Sequence, residues 1–332
     1  MFSTVIRRRA RDLLESAKSL TTIESRWIVA SPEWFFNRLV ALDVRVQLRD
    51  LEGSIAVVTG GARGIGAAIA MRLASAGADI AIWDAPEWSD PPLDYALSDE
   101  GNLRETEAEI RRLGRRVHVI AVDVRDPAAV DAAVAETVSE LGAIDTLVCA
   151  AGIRSAVPAA EMTDEQWDSV IDVNLHGTYH CVRSALGCLE SSGTGRVVIV
   201  AAEEGRRGAA GLSHYAAAAW GLIGLAKSLA LESAQFGLGV NVITPGPVDT
   251  AMSRSLGYWA LVQAGRAGGN PVGDVGETSA RRALEAIHPS GAAYVSIESV
   301  CDAAMFAIGS TNLDMTGSVL DVSAGLAATN TA

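Results

Sequence analysis

From about residue 53 onward, short β-branched apolar runs alternate with longer stretches in which Ala, Leu, Glu and Arg recur at helical spacing. Ile55–Thr59, Ile80–Trp83, Val117–Val122, Thr146–Cys149, Val197–Val200, Val240–Thr244 and Ser318–Val322 read as buried strands. Each is mostly apolar, which suits a strand covered on both faces. The intervening stretches are long enough for crossover helices, so the strands should be parallel. The expected fold is therefore α/β: a doubly wound, Rossmann-type parallel sheet in a single domain.

The pattern differs in residues 1–50, which carry net charge +3 and leave −16 for the rest of the chain. Val5, Ile6, Ala10, Leu13, Leu14 and Ala17 fall on one helical stripe, with Arg7, Arg8 and Arg11 off it. Ser31, Pro32 and Glu33 read as the N-cap, first residue and first-turn acid of a second helix. The segment is expected to be an N-terminal helical extension packed on its own domain or a sister subunit. Docking on a partner or an anionic membrane is the less favoured alternative. The remainder divides into a main domain at 51–326 and a tail at 327–332.

Composition narrows the functional classes. The 332 residues are 49% hydrophobic and 20% charged, which excludes a disordered chain. A net charge of −13 argues against a nucleic-acid partner. Cys149, Cys181, Cys188 and Cys301 are too few and scattered for a disulfide framework. His176 and His180 share a helical face without a third ligand, so they read as a polar face and no metal is expected. No run is long and apolar enough to span a membrane, and no apolar segment follows Arg7–Arg9 to make a secretory signal. The chain reads as a soluble cytoplasmic protein.

The first strand runs directly into Gly60, Gly61, Ala62, Arg63, Gly64, Ile65 and Gly66, and then into an Ala-rich helix. A glycine turn between a strand and a helix lets the backbone approach a pyrophosphate that the helix N-terminus stabilises. Asp84 ends the second strand 18 residues after Gly66, where a carboxylate accepts from ribose hydroxyls and repels a 2′-phosphate. That combination favours NAD(H) over NADP(H).

The spacing from Thr59 through Gly60, Gly64, Ile65 and Gly66 resembles the fingerprint of the short-chain dehydrogenase/reductase family, and later landmarks match in order. Asp123 and Val124 resemble the family's adenine contact, and Cys149–Ala150–Ala151–Gly152 stands where the family has Asn-Asn-Ala-Gly. Asn174 resembles its mid-helix Asn. Pro245, Gly246, Val248 and Thr250 resemble its nicotinamide-side turn. The resemblance implies that these residues surround NAD(H). Asp84 and Asp123 are 39 positions apart, with Pro86, Pro91 and Pro92 between them. Such an insertion resembles the subgroup of the family associated with mycofactocin, in which it is thought to retain NAD between turnovers.

The resemblance also implies a tetrad of Asn, Ser, Tyr and Lys. Tyr215 and Asn174 match it, but the Ser position is Ala202 and the Lys position is Ala219. The sequence holds two lysines: Lys18 in the arm, and Lys227 twelve residues beyond Tyr215. At ~1.5 Å per residue Lys227 lies about 18 Å along a helix from Tyr215, out of reach. A phenol with no cation beside it keeps a pKa of ~10, so about one in a thousand is ionised at neutral pH.

Three functions remain open. The favoured one is an NAD(H)-binding oxidoreductase acting on a hydrophobic alcohol or ketone, with standard activity weak or displaced. Glu203, Glu204, His176 or His214 could supply local help, although the glutamates also read as solvated loop charge and the histidines as surface residues. The second is a catalytically inactive subunit that binds NAD(H) and supports an active paralogue in a hetero-oligomer; under either reading the resemblance implies a homo- or hetero-oligomer with a subunit of the same family. The third is lyase- or dehydratase-like chemistry through Glu203 or Glu204. The resemblance implies a substrate cover at about 251–296, to which Tyr258, Trp259, Leu261 and Val262 give an apolar surface, and Gly265–Gly276 reads as mobile. No arginine cluster marks an anion clamp.

Overall fold

In the computed structural model, residues 51–85, 92–267, 275–309 and 314–329 are described. The arm at 1–50 lies outside them, as do the end of the tail, Pro86 and Pro91 of the insertion, and most of Gly265–Gly276.

Seven parallel strands form the sheet: β1 (Ile55–Thr59), β2 (Asp79–Asp84), β3 (Val117–Ala121), β4 (Thr146–Cys149), β5 (Arg196–Val200), β6 (Gly239–Pro245) and β7 (Val319–Val322), in the order β3-β2-β1-β4-β5-β6-β7. Period-two alternation sends Val57, Trp83, Leu147, Ile199 and Val242 to one face, and Val58, Ile82, Val148, Val198 and Ile243 to the other. The first face packs on α3 (Pro127–Leu141), α5 (Thr178–Ser191) and α6 (Ser213–Ser233). The second packs on α1 (Gly64–Ser75), α2 (Glu100–Arg112) and α9 (Ile297–Gly309). With both faces covered, β1, β2, β4, β5 and β6 have almost no exposed residue. The edges depart from the expectation of uniformly buried strands: β3 carries the exposed Ala121, and β7 the exposed Asp321. An edge strand has a neighbour on one side only, so part of its length faces solvent.

Two features place the site. The strand order reverses between β1 and β4, which opens a crevice beyond their C-terminal ends. In addition, α4 (Asp164–Ile171) continues through one wide π-helical turn, Asp172–Gly177, into α5. That turn presents Asn174 to the loop after β4. The cover comprises α7 (Leu256–Ala267) and α8 (Glu277–Ile287), packed through Tyr258, Val262, Ala283 and Leu284.

Candidate active site

The crevice forms a groove of about 380 Å³ running from Asp84 and Asp123 to Thr250 and Met252. Its floor is backbone because no side chain fits there. A Cβ on Gly66 would stand 2.1 Å from the Gly60 carbonyl oxygen, and one on Gly60 would stand 2.7 Å from Ala151 Cα. Gly60 and Gly64 also take positive φ, +63° and +60°. The N-terminus of α1 therefore opens on the groove beside Ile65, a cradle suited to a pyrophosphate. Arg63 lines the wall and donates to the Ala96 carbonyl at 2.5 Å, tying the turn to the segment after β2.

Asp84 closes the second strand and accepts from the Ala62 N–H at 2.9 Å, the Ala85 N–H at 2.9 Å and the Ser98 hydroxyl at 2.6 Å. The carboxylate is held in place, with lone pairs left for ribose hydroxyls. Asp123 turns instead toward Arg125, whose Nε donates at 2.9 Å. Burial works to raise the Asp123 pKa, but the Arg125 guanidinium and N–H outweigh it and hold the carboxyl below its ordinary range. Val122 and Val124 remain as apolar wall. Ala151 and Gly152 line the opposite side. Although Cys149 and Ala150 carry no side-chain amide, the backbone beyond β4 keeps its supports. Thr59 Oγ1 accepts from the Ala150 and Ala151 N–H groups at 3.1 Å, and Asn174 pairs with both the N–H (2.8 Å) and the carbonyl (2.9 Å) of Ile153.

Beyond Ile65, Thr250 and Met252 the groove meets a smaller cavity of about 50 Å³, lined by Tyr215, Ala202, Glu204, Arg154 and Tyr258, with Pro245, Gly246 and Val248 at its back. Burial, and secondarily the charge of Glu204, push the Tyr215 phenol well above its ordinary pKa; Arg154 opposes them. Ala219 is buried under the Glu203–Gly205 turn, where a Cβ on Gly205 would stand 3.0 Å from the Ala219 carbonyl oxygen. Lys227 is exposed and donates to the Gly317 carbonyl at 3.5 Å.

A profile of the short chain dehydrogenase family matches residues 54–260. The chain belongs to the short-chain dehydrogenase/reductase family. It is 37% identical over 214 residues to the (−)-trans-carveol dehydrogenase of Rhodococcus erythropolis, covering 64% of this chain and 76% of that one. The solved carveol dehydrogenase of Mycobacterium avium, in complex with NAD, superposes with a TM-score of 0.78 at 30% identity, over 84% of this chain and 99% of the other. A short chain dehydrogenase of Mycobacterium paratuberculosis, bound to NAD, gives 0.74 at 27% identity over the same shares.

Several surroundings in this short-chain dehydrogenase differ from the sequence expectation. Glu203 and Glu204 are not solvated loop charge: they are 2% and 4% exposed, because the Glu203–Gly205 turn tucks beneath the small residues of α6. Glu203 pairs with Arg207 at 2.7 Å, and its second oxygen has no partner. Burial and the neighbouring Glu204 raise its pKa to about 7. His214 is not a surface residue either. It is wholly buried, its Nε2 lies 2.7 Å from Ser155 Oγ, and burial lowers its pKa to about 4. His176 is exposed beside Asp172, and His180 faces the Val124 carbonyl.

Three residues went unnoticed in the sequence. Arg154 reaches the small cavity from the loop after β4, while Tyr95 and Ser98 reach the groove from the insertion. For Arg154 a signal was available: a lone arginine two positions beyond Gly152, at the C-terminal end of a central strand, stands where ligands bind in such sheets. Tyr95 and Ser98 follow a proline-rich stretch of sequence that gives no periodicity to read.

Proposed function

We propose that this protein is an NAD(H)-dependent oxidoreductase interconverting a secondary alcohol and a ketone whose body is largely apolar, with Tyr215 as the proton-transfer group. The observation that carries the reading is the Tyr215 phenol lining a cavity that opens directly from a groove with the cradle and carboxylate a dinucleotide needs. When bound, the nicotinamide supplies or accepts the hydride. The residues around it bind and orient. The Gly60–Gly66 backbone receives the pyrophosphate, Asp84 the adenine ribose, and Val122 and Val124 the adenine face. Asn174 fixes the Ile153 backbone between groove and cavity. Tyr215 exchanges a proton with the substrate oxygen, and Glu204, the nearest buried carboxylate lining the same cavity, relays it. The carveol dehydrogenases among the similar proteins support an apolar alcohol, and their NAD complexes support the cofactor. The insertion reaching the groove through Tyr95 and Ser98 supports kinship with the mycofactocin-associated subgroup.

Ala202 and Ala219 favour a second reading, a subunit that binds NAD(H) and assists an active paralogue. The exposed Trp220 and Leu231 on α6 support assembly with another subunit. Turnover of the purified chain separates the two. The first reading expects slow alcohol or ketone turnover by the chain alone, raised at least about tenfold in Ala202→Ser/Ala219→Lys. NADH binding without turnover, rescued only by the paralogue in a co-purifying complex, would select the second.

A further inference from the structure

Arg154 is 5% exposed. Its guanidinium lies 3.7 Å from the centroid of the Tyr258 ring and 5.8 Å from that of Tyr215, and Nη2 donates to the Met252 carbonyl at 2.8 Å. Its backbone N–H donates to the Tyr95 hydroxyl at 3.0 Å, which fixes where the side chain starts. Among the described residues no carboxylate stands within ion-pair distance of it, and the other donors of its fork have no hydrogen-bond partner. Arg196, an arginine of comparable burial, is by contrast capped by three carbonyls. Burial works against the Arg154 charge, Tyr258, Tyr215 and Glu204 outweigh it, and the part of its planar fork left without a hydrogen bond matches a carboxylate bidentately. Glu204 lines the same cavity without closing on Arg154, so positive and negative groups face the space separately. Ile65, Val248, Met252 and the Tyr258 ring make up the apolar wall.

We propose that Arg154 receives the carboxylate of the substrate, and that this dehydrogenase therefore acts on an apolar oxo acid and its hydroxy acid rather than on a neutral alcohol. The inference rests on the oxidoreductase reading above and names the substrate class of the same site. In the reductive direction the carbonyl carbon would accept a hydride from bound NADH as the C=O π bond opens, and the oxygen takes the proton of Tyr215, which Glu204 relays back from solvent. The products are the hydroxy acid and NAD+. The carboxylate takes no part in the electron count. It anchors the substrate at one end of the cavity while the carbonyl lies toward Tyr215 and Glu204.

The test is a calorimetric titration of the full chain saturated with NAD+, a complex in which a ketone binds without reacting. The probes are acetoacetate, levulinate and benzoylpropionate, each against its methyl ester. At least one acid is expected to bind on the order of 30-fold tighter than its ester. That preference should vanish in Arg154→Met and be reduced in Arg154→Lys, which keeps the charge but not the fork. Equal binding of every acid and ester, no binding of either, or a preference that survives Arg154→Met overturns the proposal. Should Arg154→Met fail to fold, the wild-type ratio and Arg154→Lys decide it alone. A preliminary NAD+ titration keeps the two failures apart. No NAD+ binding overturns the cofactor reading, whereas NAD+ binding without an acid preference overturns only the substrate class. If Arg154 instead serves only as a substitute cation for Tyr215, Arg154→Met slows reduction of acid and ester equally, and the proposal falls.

Discussion

Tyr215 sits among groups that favour its neutral form. Burial comes first, the Glu204 carboxylate adds to it, and the Arg154 guanidinium only partly offsets them. A neutral phenol is ready to donate a proton and poorly prepared to accept one. Ketone reduction should therefore run at a nearly constant rate through the neutral pH range, while alcohol oxidation should climb about tenfold per pH unit as the scarce phenolate becomes available. Initial rates in both directions across pH check this, and a flat oxidative profile would contradict it. Glu203 and His214 make a separate prediction, because their shifts have opposite consequences for stability. Glu203 titrates near 7 in the fold against 4.5 ordinarily, so its burial weakens the fold as pH rises between those values. His214 titrates near 4 against 6.5, so it weakens the fold as pH falls through that range. In the wild type the two slopes offset. In His214→Gln, stability should decline from acid toward neutral pH; in Glu203→Gln it should rise, by roughly 1–3 kcal/mol in each case. Urea midpoints measured across that window decide it, and parallel profiles for the two variants would refute the assignment.

At the scale of elements, the wide turn Asp172–Gly177 links the helical layer to the cofactor groove through one amide. Asn174 both donates to and accepts from Ile153, so its loss leaves a buried N–H and a buried carbonyl unpaired. Asn174→Ala should cost roughly 2–4 kcal/mol in urea unfolding and weaken NADH binding, since Ala151 and Gly152 lose their anchor. A cost below about 0.5 kcal/mol would show that the pairing is dispensable. This element scale is also where the sequence was most legible. Runs such as Ile55–Thr59 and Thr146–Cys149 are mostly apolar because both faces of their strands are covered, and their bounds match the structure. The glycine turn was legible for a related reason: Gly60 and Gly66 pack backbone on backbone, which only glycine permits, so spacing alone reveals geometry. The proton-transfer end gave no such signal. Glu203, Glu204 and His214 are polar residues in loop-like or helical contexts, and whether they point inward depends on how closely the turn after β5 seats on α6. That closeness depends on Gly205 against Ala219, a long-range contact without a local period. Arg154 was missed because the direction of one side chain beyond a strand is set by tertiary packing.

For the molecule as a whole, one topological event creates the function. Reversal of strand order between β1 and β4 opens the groove, and residues at the C-terminal ends of β1 to β6, with the insertion after β2, α6 and α7, line most of it and the small cavity behind it. Among the described residues, no helix is long and apolar enough to cross a membrane. The cradle has the geometry a dinucleotide requires, and the cavity holds the Tyr215 phenol beside Ala202, the buried Arg154 guanidinium and the Glu204 carboxylate. The central claim is that this altered cavity still moves protons through Tyr215. Its most direct test is nicotinamide absorbance during single turnover of the NADH-loaded chain with an oxo acid, in wild type and Tyr215→Phe, with NADH affinity measured on both. The account predicts equal NADH affinity, slow oxidation of NADH by wild type, and a loss of at least about a hundredfold in the variant. NADH oxidation that proceeds as fast without the phenol would contradict it.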